Sequence, residues 1–193
     1  SFVGEVFLTF QRSKAIKVRE AHLYEPNPAS YQLLTENIRD CKTPSLHAYN
    51  LAVGVTPGTL HFNAAQSMTK VIDAQTAHRP ISNTFSAESV TLDDQAKFFT
   101  DQKINVLKID VEGKELEVLT GAGDLLRSQR IDVVYIEVGF NKGGTQQTYF
   151  ADIDLFMQNS GYRVFRIYEQ MNEWVQDSPW LRRCNFAYMS EAF

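Results

Sequence analysis

The sequence predicts an α/β fold: a mostly parallel sheet with helices on both faces, closed at its C-terminal end by an antiparallel strand pair. Three observations carry this reading. Short apolar runs of strand type alternate with segments whose apolar residues recur at helical spacing. Two of the runs, residues 104–109 and 131–138, are apolar at most positions, as in strands buried on both faces. The last two runs, 162–168 and 185–189, follow one another without a helical pattern between them, which suits antiparallel pairing.

Taken in order, residues 2–10 place Val3, Val6, Phe7 and Phe10 on one helical face. Residues 21–24 read as a short strand ending at Glu25. Asn27 then serves as N-cap and Pro28 as first helical residue of a helix carrying Tyr31, Leu34 and Ile38. Residues 46–53 read as one strand and 58–62 as another. Between 64 and 83 the pattern dissolves, with Met68, Val71 and Ile72 its one apolar cluster. Structure restarts at Val90, with Asp93 and Asp94 near a helix start. After strand 104–109, closed by Asp110, a helix over 113–119 is stopped by Gly121, and Leu125 and Leu126 add apolar cover. Residues 139–148 are polar. Phe150, Ile153, Phe156 and Met157 mark a helix that stops at Gly161.

The 193 residues fit a single domain spanning the whole sequence. Charge and composition are those of an ordinary globular chain: net charge −4, 44% hydrophobic and 22% charged. No basic run offers a footprint for phosphate backbones, so no nucleic acid partner is expected. No apolar stretch is long enough to span a bilayer, so no membrane partner is expected either. Cys41 and Cys184 lack metal-ligand spacing and read as reduced thiols, which points to a cytoplasmic setting. A targeting segment upstream of Ser1 would lie outside this sequence.

Two stretches carry a family resemblance. The first is Leu23-Tyr24-Glu25-Pro26-Asn27-Pro28, followed by Leu33, Leu34 and Asn37. The second is Leu107-Lys108-Ile109-Asp110-Val111-Glu112-Gly113-Lys114-Glu115, followed by Val118-Leu119-Thr120-Gly121-Ala122. Together they resemble the FkbM family of class I, S-adenosylmethionine-dependent methyltransferases, whose members show E-P-x-P after the second strand and K-I-D-V-E-G-x-E after the fourth. Asn50-Leu51-Ala52-Val53-Gly54 is similar to the family's third strand, and Val90-Thr91-Leu92-Asp93 to the lead-in to its fourth. Glu137 and Gly161-Tyr162 agree in order. The resemblance covers nearly the whole sequence. It implies a Rossmann-like class I methyltransferase fold, where a closing antiparallel pair is usual. One element departs: the family's first strand and its D-x-G-A-N-x-G loop have no counterpart here. Ser1 and Phe2 fall where the following helix begins, so the first strand is expected to be absent and the domain N-terminally incomplete.

The resemblance implies S-adenosylmethionine as cofactor, contacted by Glu25, Pro26, Asn27, Ala52 and Asp110. An acid ending the second strand can accept both ribose hydroxyls at the carboxyl edge of such a sheet; a simpler role is to face a helix N-terminus. Asp110, Glu112 and Glu137 are the catalytic candidates. They can hold the acceptor and take its proton, bind a divalent cation, or cap the helix near Gly113 and pair with Lys108. The first is favoured for Asp110, with Glu112 and Glu137 in support, and no metal is demanded. Lys108 either pairs with a site carboxylate or reaches past the sheet edge. His22, His47, His61 and His78 read as ordinary polar residues, His78 being the one in the irregular segment. Asn141-Lys142-Gly143-Gly144 can form a lid but lacks phosphate-loop spacing. Trp174 and Trp180 read as core, with an acceptor surface as the alternative.

Methyl transfer from a sulfonium is an in-line displacement that needs alignment and exclusion of water. An alcohol acceptor also needs a base. The resemblance implies an oxygen acceptor on a sugar or other small molecule. The alternatives are a non-catalytic Rossmann-like binding module and a nicotinamide-dependent oxidoreductase; the closing strand pair counts against the latter.

Overall fold

The computed structural model describes residues 5–13, 16–65, 68–72, 84–101, 103–144 and 146–193. The chain divides into two compact units, Ser1–Val90 and Thr91–Phe193.

In the first unit, α1 (Glu5–Arg12) and α2 (Pro28–Ile38) cover a two-stranded parallel sheet of β1 (Glu20–Tyr24) and β2 (Ser45–Tyr49). Phe7, Leu34 and Ile38 form the buried centre, with Leu23, Leu46 and Ala48 packed against it. The α2 start is as the sequence predicts. Asn27 is extended, and its Oδ1 accepts from Ala29 N at 3.0 Å and Ser30 N at 3.3 Å, with Pro28 opening the helix.

The strand expected over 46–53 is two strands. β2 stops at Tyr49 and β3 (Ala52–Val53) joins a different sheet. The break falls at Asn50, whose Nδ2 donates to Glu25 O at 2.9 Å and Pro26 O at 3.1 Å. A second sheet has the order β3-β6-β4-β5, made with β4 (Gly58–Ala65), β5 (Met68–Ile72) and β6 (Thr84–Val90). Here β3/β6 is parallel, while β4/β5 and β4/β6 are antiparallel. Ala52, Phe62 and Ala87 are its core, and the Phe62 and Phe85 rings stack at 5.0 Å. The apparent loss of pattern after Ala64 hides β5 and β6. β5 falls inside the stretch read as irregular, and β6 fills the gap between that stretch and Val90. His78 lies outside the described residues.

The second unit opens with Thr91 capping α3 (Leu92–Gln95), its Oγ1 accepting from Asp94 N at 3.0 Å. Its sheet has the order β7-β8-β10-β9, from β7 (Ile104–Ile109), β8 (Ile131–Gly139), β9 (Tyr162–Asn172) and β10 (Leu181–Ser190). β7/β8 is parallel; β8/β10 and β10/β9 are antiparallel. The closing antiparallel pair is therefore present. The expectation of a mostly parallel sheet is corrected: all the described sheets but β1/β2 are mixed, because the 58–90 stretch forms antiparallel strands and β10 inserts between β8 and β9.

Helices α4 (Glu115–Thr120), α5 (Gly123–Arg127) and α6 (Phe150–Asn159) complete this unit. Val118, Leu119, Leu125, Leu126, Ile153 and Met157 are buried, as are Val134, Ile136 and Val138 on one face of β8. Val133 and Tyr135, on the other face, are only partly buried. α6 ends at Ser160 and Gly161, whose φ of 79° is the left-handed conformation expected of a stop glycine. Tyr162 is fully buried and donates its hydroxyl to Ile131 O at 2.7 Å; burial pushes its phenol up to about 12. Cys184 is buried and unpaired, and desolvation raises its thiol to about 11.

Candidate functional site

In the first unit, β1 delivers Glu25 to its carboxyl end. Glu25 is buried, its backbone N donates to Tyr49 O at 3.0 Å, and its Oε1 accepts from Asn27 N at 3.0 Å. Glu25, Pro26 and Asn27 thus form one tight corner between β1 and α2, tied by Asn50 to the end of β2. Ala52, also buried, lies two residues past that tie, and Gly54 N donates to Val90 O at 3.0 Å. A buried carboxylate at the end of a parallel strand is chemically suited to accept from a vicinal diol. Next to it, desolvation and the neighbouring Tyr49 raise the Tyr24 phenol far above its ordinary range.

In the second unit, β7 and β8 run parallel with Ile109 opposite Ile136, so Asp110 and Glu137 leave adjacent strands at the same edge. Their environments differ. Asp110 is exposed (43% for the side chain) and accepts from Lys108 Nζ at 2.7 Å; Glu137 is 7% exposed and paired with Arg183. Glu112 sits between Asp110 and Gly113 with a φ of 52°, followed by Gly113 at 92°. That left-handed pair turns the chain sharply between β7 and α4. Tyr135, opposite Lys108, has its phenol raised by burial, Glu169, Tyr168 and Asp110, against a hydrogen bond from Asn185 that lowers it.

The helix-capping role weighed for Asp110 is not seen, since α4 has no side-chain cap; the turn before it is held by Glu115. Its Oε1 accepts from Gly113 N at 3.0 Å and Val111 N at 3.4 Å; its Oε2 accepts from Thr148 N at 2.9 Å and Thr148 Oγ1 at 2.7 Å. The fully buried Glu115 therefore clamps the Asp110–Gly113 turn to the segment leading into α6. Glu115 stands inside the motif that carries the family resemblance, yet nothing in the sequence pairs it with Thr148. Arg183, the partner of Glu137, was likewise missed, since its strand aligns with β8 only through antiparallel register. Of the open readings for Lys108, pairing with a site carboxylate is the one observed.

The remaining candidates divide. The His22 and His47 rings stack at 4.9 Å on the β1/β2 sheet, and His61 Nδ1 lies 2.9 Å from Ser86 Oγ. Trp174 and Trp180 are not core: both are largely exposed on the β9–β10 connection. Among the described residues, no group of three or more His, Cys, Asp or Glu is placed to hold a metal, and no helix is long and apolar enough to cross a membrane.

The chain belongs to the methyltransferase FkbM domain family, whose model matches residues 4–164. S-adenosylmethionine is the cofactor that goes with this family. The hexuronic acid methyltransferase AglP of Haloferax volcanii is 29% identical over 117 residues, 60% of this chain and 46% of that protein. The chain thus spans about half the length of that relative. A crystal structure of M. jannaschii TYW2 in complex with AdoMet aligns with a TM-score of 0.42 and 10% identity, covering 97% of this chain and 65% of that one.

Proposed function

We propose that the chain is a single methyltransferase domain with a Rossmann-like class I fold, using S-adenosylmethionine to O-methylate a hydroxyl of a sugar or other small-molecule acceptor in a reducing, cytoplasmic setting. The observation that carries this is the family match across residues 4–164, with its two motifs at the carboxyl ends of β1 and β7. The order β7-β8-β10-β9 with an antiparallel closing pair supports the fold.

In this reading Glu25, Pro26, Asn27 and Ala52 contact the cofactor, Glu25 through the ribose hydroxyls, and Asp110 borders it. The cofactor supplies an electrophilic methyl group on a sulfonium centre. Asp110 takes the acceptor hydroxyl proton on its carboxylate; its exposure suits contact with substrate. Lys108 holds that carboxylate in place. Glu137, fixed by Arg183, and Glu112 support the acceptor side. Glu115 fixes the turn that presents Asp110.

The test is a thermal shift of the full-length protein with S-adenosylmethionine, S-adenosylhomocysteine and NAD. Stabilisation by the first two and not by NAD is expected. Stabilisation by NAD alone indicates an oxidoreductase, and no response to any indicates a binding module; either result overturns the proposal.

A further inference from the structure

We propose that Tyr135 binds the methyl acceptor, donating its phenol hydrogen to an acceptor oxygen other than the one that is methylated, and that Asn185 and Glu169 are positioning residues that aim it. This deepens the methyltransferase reading and rests on it.

Strand register places the group on the face of the sheet that carries Glu137. Glu137 stands directly opposite Asn185, and Asn185 opposite Tyr168. Tyr135, two residues before Glu137 on β8, shares that face, because side chains two apart on a strand, or directly opposite across a pair, point the same way. The Tyr135 and Tyr168 rings meet across β10, with centroids 5.8 Å apart and planes tilted by 51°. Tyr168 and Tyr135 are partly exposed, whereas Asn185 is buried.

A break in the ladder completes the arrangement. Asn185 pairs with Tyr168 and Arg183 with Met171, so Glu169 and Gln170 of β9 face the single Cys184 of β10. In this bulge Glu169 takes a φ of 49°, a left-handed conformation that costs energy in any residue with a side chain. In a regular strand Glu169 would turn to the face opposite Tyr168. Here it accepts from Asn185 Nδ2, so two successive residues of β9 serve one face. Asn185 also donates to the Tyr135 oxygen. The two bonds use both hydrogens of its amide.

A packing brace would need the Tyr135 ring and not its hydroxyl. That hydroxyl instead accepts from a buried amide which Glu169 locks in place, and this fixes where its own hydrogen can point. The hydrogen finds no acceptor among the described residues. Burial first, and then Glu169, raises the phenol above its ordinary value, so it stays a donor at neutral pH. Asp110 is among the charges that act on it, which brings the phenol within reach of an acceptor held at Asp110. An acceptor with a single hydroxyl would leave Tyr135 unused. The class that fits carries several oxygens on a body with C–H surface for the two rings, as a polyol ring does.

The test uses the full-length protein with S-adenosylhomocysteine present and isotope-labelled tyrosine rings followed by NMR. Methyl glucopyranoside is the polyol probe and cyclohexanol the single-hydroxyl control. Tyr135→Phe and Tyr168→Phe assign the two ring signals. Methyl glucopyranoside should move both saturably, at lower concentration than cyclohexanol. Tyr135→Phe keeps the ring and loses the donor, so binding read at Tyr168 should weaken about two- to tenfold, the worth of one net hydrogen bond. The margin over cyclohexanol should shrink by the same factor. Glu169→Ala should weaken binding as much, and Glu169→Gln, which keeps an oxygen for Asn185, should restore it. Stabilisation by S-adenosylhomocysteine should persist in every variant. An unmoved Tyr135 signal, an equal response to cyclohexanol, or unchanged affinity in Tyr135→Phe overturns the proposal and leaves the methyltransferase reading intact. Equal losses in Glu169→Ala and Glu169→Gln overturn the positioning role. If methyl glucopyranoside binds as expected but S-adenosylhomocysteine never stabilises the protein, the role of Tyr135 in binding stands and the methyltransferase reading falls.

Discussion

Replacing Glu115 tests whether one buried carboxylate holds the turn that carries Asp110 and Glu112. Three of its four contacts are 3.0 Å or shorter, to Gly113 N, Thr148 N and Thr148 Oγ1. Hydrogen bonds to a charged acceptor contribute about 1.5–3 kcal/mol each, and a buried donor left alone costs about 1–3 kcal/mol. These values do not add, because the donors relax together. Glu115→Ala is therefore expected to cost about 3–5 kcal/mol, the scale of a broken buried charge network. Glu115→Gln keeps one oxygen for Gly113 N but sets its amide against Thr148 N–H, donor against donor. The Thr148 hydroxyl can rotate and accept, so the cost is about 1–3 kcal/mol. For a chain of this size, that lowers the melting temperature by about 2–4 °C per kcal/mol. The assay is urea unfolding followed by far-ultraviolet circular dichroism, with hydrogen exchange read at Val111, Gly113 and Thr148. Those three amides should lose protection first. A Glu115→Ala protein destabilised by less than about 1 kcal/mol, or one with unchanged exchange at these amides, would refute the clamp.

Further expectations follow from the same geometry. Glu25→Ala should weaken S-adenosylhomocysteine binding about tenfold or more, from loss of a charge-assisted contact of about 1.5–3 kcal/mol; calorimetry on a folded variant with unchanged affinity would remove Glu25 from the cofactor site. Asp110→Asn should cut methyl transfer by about 100- to 10,000-fold while cofactor affinity and melting temperature hold; normal turnover with a lowered melting temperature would make Asp110 structural. Asp93 accepts from Asp124 N at 2.9 Å and Leu125 N at 3.0 Å, so Asp93→Ala should lose about 1 kcal/mol of stability in a denaturant titration. The Cys184 thiol is raised on folding to about 11, so the unfolded chain releases that proton first. Its contribution to stability is full below the unfolded thiol pKa and is lost as pH climbs from there through about 11. Cys184→Ala should flatten the fall of melting temperature over that window, and an unchanged slope would count against the burial effect.

The parts of the fold legible in the sequence were those where one residue does one local job. Asn27 and Pro28 start α2, Gly161 stops α6, and the apolar runs of β7 and β8 are strands within a residue of their expected limits. Patterns that depend on partners far along the chain were not legible. Asn50 breaks a run that looks continuous because Glu25 and Pro26, a quarter-century of residues upstream, draw its side chain. β5 was hidden because Met68, Val71 and Ile72 stand among polar residues without strict alternation, and β6 because Thr84, Ser86, Glu88 and Ser89 outnumber its apolar residues. The candidate carboxylates were chosen from strand ends and motif resemblance, while the contacts of Arg183 with Glu137 and of Thr148 with Glu115 were not foreseen, since only register and packing bring them near. The tryptophans were misread because aromatic content between strands says nothing about which way a hairpin points.

β10 has consequences for the order in which the second unit is assembled. It is the shared neighbour of β8 and β9, which make no pairing with one another. Ribosomal synthesis delivers β7, its helices and β8 as a parallel unit that can form early, and then β9 with no strand to join. Until Leu181–Ser190 emerges, the long β9 has no strand to pair with, and β8 offers an open edge. Pairings this distant in sequence form slowly. The interval is when this chain is most open to pairing with another copy of itself, and the stage at which a chaperone holding β9 would have the greatest effect on yield.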